Sequence, residues 1–358
     1  MRVASVRTRV VSAPYVRPFV ISSGASPDLV SLVVEVTTDE GLTGYGEASP
    51  MTAYTGDTLP GLTAAVTEYA GPALIGRDPL DVAGAHAAMD AAIRGQQLAK
   101  AALDLALHDL AGRVAGWPVH VLLGGRIRER VPTTWVVGLG TLEEMAAEAA
   151  EYAAKGFTHI KVKGGVDPAA DIELVRAVRA VLPPGTELSL DANEGYDPTT
   201  AARTLARMAD AGLDLVEQPL PRWDLDGLAA LRRRIGVRVM ADESMQSPHD
   251  ALEIVRRGAA DVLNIKILKV GGLHRARQVA AVAEAAGLAV KIGSMPELGV
   301  ATLAAVHLAA ALPHATVPAD LVGPLMVREE PLAPTAFASA GTGWVKVPTG
   351  AGLGHDLG

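Results

Sequence analysis

The chain contains no cysteine. Disulfides, thiolate nucleophiles and cysteine-ligated zinc are thereby excluded, and a reducing, cytoplasmic setting is the expectation. Positive charge is also scarce. The 32 Lys and Arg stand against 40 Asp and Glu, for a net charge of -8 and a pI near 5.6. No basic stripe can meet phosphates, so nucleic acid is not expected as a partner. Apolar runs are broken by charge, Gly or Pro well before the ~20 residues of a membrane span, so no membrane partner is expected either. "MRVASVRTRV" alternates like a strand and holds no apolar leader core. No G-x-x-x-x-G-K-[ST] occurs, and no strand runs into a convincing G-x-G-x-x-G, so nucleotide binding has no support.

What is present is enough apolar material, 49% of 358 residues, for a large core. "VASVRTRVV", "LVSLVVEVTT" and "LTGYGEAS" read as an antiparallel meander with a tight turn at "TTDEGL". Helical periodicity follows over Pro60–Ala73, Pro79–Ile93 and Gln97–Ala115, and "GWPVHVLLGGR" reads as a connection. From Val131 short apolar runs alternate with helices. The runs are "TTWVVG", "FTHIKVK", "ELSLDAN", "LDLVEQP", "VRVMADE", "DVLNIKI", "LAVKIGS" and "ATVPADL". Eight strands with seven helices between them predict an α/β fold, a modified TIM barrel of (β/α)7β type behind an N-terminal α+β capping domain. The expected division is 1–122 for the cap, 123–322 for the barrel and 323–358 for a Pro- and Gly-rich tail without an eighth helix, running back over the cap.

Chemistry in such a barrel sits at the C-terminal strand ends. There the sequence places Lys161 and Lys163, then Asp191 with Asn193, Glu217, Asp242, Lys266, Ser294 with Glu297 just beyond, and Asp320. From Lys163 the steps to Asp191, Glu217, Asp242 and Lys266 are 28, 26, 25 and 24 residues. Each step is about one βα unit, so the five side chains should converge on one rim. Three neighbouring carboxylates need a counter-charge. Oxygen-only ligands favour Mg²⁺ over Zn²⁺. Asp191, Glu217 and Asp242 are therefore the expected metal ligands. A cation there would lie between Lys163 and Lys266 and lower their pKa, as a like-charged neighbour also would, making each a general base. Two bases on opposite faces of a metal-bound carboxylate suggest removal of the α proton to an enediolate and its return from the other side, inverting a stereocentre. Lys161 would help lower the pKa of Lys163 or touch the substrate carboxylate. Arg17 could clamp a carboxylate from the cap and Tyr54 could touch substrate, whereas His159 and His307 read as packing residues rather than ligands.

The ordered set "KVK", "LDAN", "VEQP", "MADES" and "NIK…KVGG", with "GYGEASP" and "AKAALDLALHDLAG" before it, resembles the enolase superfamily in its muconate lactonizing enzyme subgroup. The resemblance implies the same roles for Lys163, Lys266, Asp191, Glu217 and Asp242, and a homo-oligomer. It also implies a cap that reads a small carboxylate substrate through the loop "APYVRPFVISSGASPD" and the segment "SPMTAYTGDT". "GSMPE", holding Ser294, Met295 and Glu297, and "YTGDT" look most like dipeptide epimerases. Asp320 matches the first acid of their D-x-D, which holds a substrate ammonium, but Val322 stands where the second would be. Trp135 replaces a smaller residue. These departures point to a more apolar or differently substituted amino-acid derivative. The implied activity is thus racemisation or epimerisation of a dipeptide or N-substituted amino acid. "DLVGPLMVREE" also resembles muconate cycloisomerases, the alternative reading.

Overall fold

The computed structural model describes the chain except residues 22–23, 334, 338–339 and 355–358, and except the side chains of 18–21 and 24–25. The alternating segments pair as an antiparallel meander of β1 (Val3–Ile21), β2 (Gly24–Thr38) and β3 (Thr43–Ala48). Residues 13–28, expected as a loop, are mostly the far end of the β1–β2 hairpin. Pro14 and Pro18 are tolerated because β1 is an edge strand, and Pro27 because β2 pairs β3 only from Leu32 on and its register with β1 shifts there. Ser22, Ser23 and the side chains around them lie outside the described residues. The helix expected over 60–73 is divided: α-helix Leu59–Ala64, a wider π turn Ala65–Ala70, then a 3-10 turn from Pro72. Proline has no N–H to continue the ladder. "GWPVHVLLGGR" contains a one-turn helix, Val119–Leu122.

The helix Gln97–Ala115 lies directly on β3. Gly44 and Gly46 permit this, since a Cβ on either would strike the carbonyl oxygens of Ala106 and Ala102. The same helix ties the two halves of the molecule together. Asp104 is fully buried and accepts the Leu273 N–H at 2.5 Å, capping a helix of the second half.

β4 (Arg130–Pro132) precedes eight parallel strands: β5 (Trp135–Val137), β6 (His159–Lys163), β7 (Glu187–Asp191), β8 (Leu215–Glu217), β9 (Arg238–Ala241), β10 (Val262–Lys266), β11 (Ala289–Gly293) and β12 (Ala315–Val317). They pair in chain order, and a parallel bridge between Thr133 and Ala319 joins the two edges of this curled sheet. Helices Leu142–Ala154, Pro168–Val181, Pro198–Asp210, Leu225–Arg232, Pro248–Arg257, Leu273–Ala285 and Gly299–Ala311 fill the connections. Their starts are written in the sequence. Asp167-Pro168 and Asp197-Pro198 each place a carboxylate on free N–H groups with proline at the first helical position, and Thr141 and Glu144 form a capping box.

Beyond β12 the helix Gly323–Met326 is a single turn. The Arg328 N–H then donates to the Pro14 carbonyl, β13 (Trp344–Lys346) pairs with β4, and the Leu353 N–H donates to Asp109. Among the described residues no helix is long and apolar enough to cross a membrane.

Candidate active site

Period two decides which side chains enter the barrel. Leu215, Met240, Val262 and Val317, with Ala289, form a small apolar cluster of their own inside it. Two residues further along, on the same faces, come Glu217, Asp242, Asn264 and Lys291. The interior therefore turns from apolar to ionic within one step of each strand.

The register brings the first of these together. Lys163 pairs with Asp191, and Asp191 with Glu217, across β6, β7 and β8. Lys163 Nζ donates to Asp191 Oδ2 at 2.6 Å and to Asn193 Oδ1 at 2.9 Å. Asn193 takes a left-handed φ of 41°, which turns its amide towards Lys163 while its Nδ2 donates to Glu243. Lys161 Nζ donates to Glu217 Oε2 at 2.9 Å and to Asp320 Oδ2 at 2.6 Å. On the far side Lys266 Nζ lies 2.7 Å from Asp242 Oδ2, as an ion pair not aligned as a hydrogen bond. The Tyr54 ring, brought by the cap, has its centre 4.6 Å from the same Nζ. In the strand order β6 and β10 are four steps apart among eight, so Lys163 and Lys266 face each other across the barrel.

Several of the groups holding this arrangement carry no signal that the strand-end reading used. Lys269 Nζ donates to Asp242 Oδ1 and to the Asp242 carbonyl, both at 2.6 Å. It sits one helical turn after Lys266 in "KILK", a spacing that could have singled it out. Gln218 holds the loop that carries Asp242: its Oε1 accepts the Asp242 and Ser244 N–H groups. Asn264 Nδ2 donates to Glu217 Oε1 at 2.7 Å. Lys291, wholly buried, lies 2.8 Å from Asp320 Oδ1 and donates to Thr134 Oγ1 at 2.9 Å. Applying period two to "LAVKIGS", as to "IKVK", finds it.

Burial raises the Glu217 carboxyl, and Asp191 beside it adds to the push. Burial and Asp242 raise Glu243 to about 8. Burial would raise Asp242 and Asp320 as well, but lysines outweigh it and hold both well below the usual carboxylate range. Burial lowers the Lys161 and Lys266 ammonium groups, yet the carboxylates around them carry both above the usual lysine value. The expected downward shift of the Lys266 base is thus not what the protein's own charges set. Its nearest neighbours are anions, and Lys269 pairs with the same Asp242.

Met51, Tyr54, Lys161, Lys163, Asp191, Asn193, Lys266, Ser294, Met295 and Asp320 all line one narrow cavity of about 70 Å³. Glu297 stands behind it, buried, accepting the Met295 N–H at 2.9 Å, and burial raises its carboxyl to about 8. Trp135 and Arg17 lie elsewhere. Val136 is the β5 residue that faces the lysines, and Trp135, one step away, points to the helix Leu142–Ala154. There it stacks on Tyr152 and donates to Glu148 at 2.8 Å. Trp135 and Arg17 line a larger cavity of about 730 Å³, which shares Val136 and Met326 of its wall with the first.

The N-terminal region, residues 4–124, matches the family model for the mandelate racemase / muconate lactonizing enzyme N-terminal domain, and residues 144–358 match the enolase C-terminal domain-like model. The chain belongs to the muconate lactonizing enzyme subgroup of the enolase superfamily. As a member of that subgroup it is an isomerase: its relatives are epimerases, racemases and cycloisomerases. It is 38% identical to muconate cycloisomerase 1 of Rhodococcus opacus over 364 residues, covering 100% of this chain and 96% of the relative. It is 38% identical to the hydrophobic dipeptide epimerase of Enterococcus faecalis over 317 residues, 88% of this chain and 89% of that one. The crystal structure of an Enterococcus faecalis dipeptide epimerase complexed with Mg and L-Leu-L-Tyr superposes with a TM-score of 0.94 at 36% identity, covering 99% of each chain.

Proposed function

We propose that this subgroup member is a racemase or epimerase. It would remove and return the proton α to a substrate carboxylate, on a dipeptide or an N-substituted amino acid. The observation that carries the reading is the facing pair Lys163 and Lys266, half a barrel apart on the wall of one cavity. Lys163 Nζ would take the proton from one face of the α carbon, and Lys266 Nζ would deliver one to the other. Lys161 has three N–H groups, two of them on Glu217 and Asp320, which leaves one for the substrate carboxylate. Tyr54 would cover Lys266 and keep water from it.

The acids on the rim fit a hard divalent cation such as Mg²⁺. All their donors are oxygen, Asp242 Oδ2 and Glu243 Oε2 are buried without a hydrogen bond, and Glu217 is crowded by like charge. Among the described residues no three such side chains converge on one point, because lysine ammonium groups sit on their oxygens. Asp191, Glu217 and Asp242 would hold the ion as these ammonium groups give way. The ion would supply positive charge to the substrate carboxylate while its α carbon is deprotonated.

The experiment is incubation of the enzyme with Mg²⁺ and a panel of dipeptides and N-acyl amino acids in D₂O. The expected result is α-deuterium incorporation together with loss of optical rotation. Turnover of a substrate without exchange would remove the two-lysine reading. A second reading, cycloisomerisation of a muconate-like diacid, draws on the full-length likeness to muconate cycloisomerase 1 and on Val322 in the cavity wall. Loss of diene absorbance would select it.

A further inference from the structure

The wall of the small cavity carries three ammonium groups, Lys161, Lys163 and Lys266, and two carboxylates, Asp191 and Asp320. A carboxylate on such a wall is the natural partner for a substrate cation. Asp191 belongs to the acidic rim, so Asp320 is the one acid available to a group on the far side of the substrate. Both of its oxygens face ammonium groups. Oδ2 accepts Lys161 Nζ at 2.6 Å, and Oδ1, which has no hydrogen bond, is ion-paired with Lys291 Nζ 2.8 Å away. Lys291 is anchored on its other side as well. Its side chain is wholly buried in β11, and its Nζ also donates to Thr134 Oγ1, which donates in turn to the Pro318 carbonyl.

We infer that Lys291 is a specificity-determining residue: by occupying Asp320 from behind, it makes the cavity accept carboxylates with an uncharged N-substituent and refuse those with an ammonium there. The inference deepens the racemase reading and rests on it for the orientation of the substrate. A substrate ammonium would meet a wall with one more ammonium than carboxylate. To reach Asp320 it would have to displace a buried lysine, leaving that lysine unpaired in a protein interior. An acyl nitrogen needs no such partner, and the apolar Val322 and Met326 beside Asp320 suit an acyl chain. Lys161, sharing Asp320 with Lys291, is also left freer to turn towards a substrate carboxylate.

The test uses a matched pair, N-propionyl-L-leucine and L-alanyl-L-leucine, which differ by one ammonium group in place of one hydrogen. Binding is read by calorimetry with the Mg²⁺-loaded enzyme, and turnover by α-deuterium exchange. Wild type is expected to bind and turn over the propionyl compound at least tenfold better. Lys291→Met should narrow or invert that ratio, whereas Lys291→Arg should keep it. Equal affinity, a preference for the alanyl compound, or no binding of either would overturn the inference. So would a ratio unchanged in a folded Lys291→Met protein. If Lys291→Met does not fold, Lys291→Gln replaces it, and the wild-type ratio by itself can still refute the inference. If the binding preference holds but neither compound exchanges its α proton, the racemase reading fails while this inference stands.

Discussion

Lys163 and Lys266 are the same residue type in unlike settings. Lys163 is held by Asp191 and an amide oxygen, Lys266 by Asp242 under an aromatic ring. If each serves one face of the α carbon, their losses should be distinguishable. Lys163→Ala and Lys266→Ala should each stop racemisation, lowering kcat/KM about 10²–10⁴-fold. In each variant the surviving lysine should still exchange the proton of the enantiomer it faces. Following both enantiomers by proton NMR in D₂O checks this. Loss of exchange for both enantiomers in a folded variant would mean the two lysines do not act separately. These lysines were legible because strand-end positions recur at about one βα unit. Lys291 and Lys269 were not, since one lies a step inside its strand and the other on the turn after its strand. Trp135 was misplaced for a related reason. In a three-residue strand the inward phase cannot be read from "TTWVVG", because it is fixed by pairing across the barrel with Ile160 and its neighbours.

The helix Gly299–Ala311 shows what burial does to a titratable group on a packed element. Its His307 Nδ1 accepts the His120 N–H, its ring stacks on His120, and its Nε2 lies 3.3 Å from the Leu353 carbonyl. The ring is thus the neutral, Nε2-protonated tautomer. Burial lowers its pKa to about 3, from an ordinary value of about 6.5. Between those values the unfolded chain binds a proton that the folded one refuses, so stability rises with pH there. His307 should therefore contribute fully above about pH 6.5 and lose about 1.4 kcal/mol per unit as the pH falls towards 3. Urea denaturation of wild type and His307→Gln at pH 7 and pH 4.5 checks this. The difference between the two proteins should shift by roughly 2–3 kcal/mol in favour of the variant at the lower pH. An unchanged difference would show that the unfolded-state proton is not what the acid sensitivity reports. Most elements were readable from period and caps. The far end of the β1–β2 hairpin, residues 13–28, was not, since three prolines argue against strand there unless its edge position is known.

At the scale of the molecule, the carboxylates at the barrel mouth are held by lysines borne on different strands. Mg²⁺ competing for those oxygens should be visible without substrate. Millimolar Mg²⁺ is expected to raise Tm, EDTA to abolish exchange, and Asp242→Asn to remove both responses. A Tm indifferent to Mg²⁺ in wild type would argue against the rim as its site. The order of the barrel's strands and helices was readable, because alternation of runs is a local property. The closure was not, because it depends on which residues meet from far apart in the chain. The Leu353 N–H and Asp109 are 244 residues apart, and β13 must find β4 across most of the barrel. At the ~5–20 residues per second of translation, the cap helix waits roughly 12–50 s for its last partner to be made. For roughly the first two thirds of that time Gln97–Ala115 also lacks Leu273, and Leu353 comes only at its end. In the cell, a ribosome stalled late in the barrel therefore leaves the nascent cap helix exposed to proteases and chaperones without the Leu353 contact.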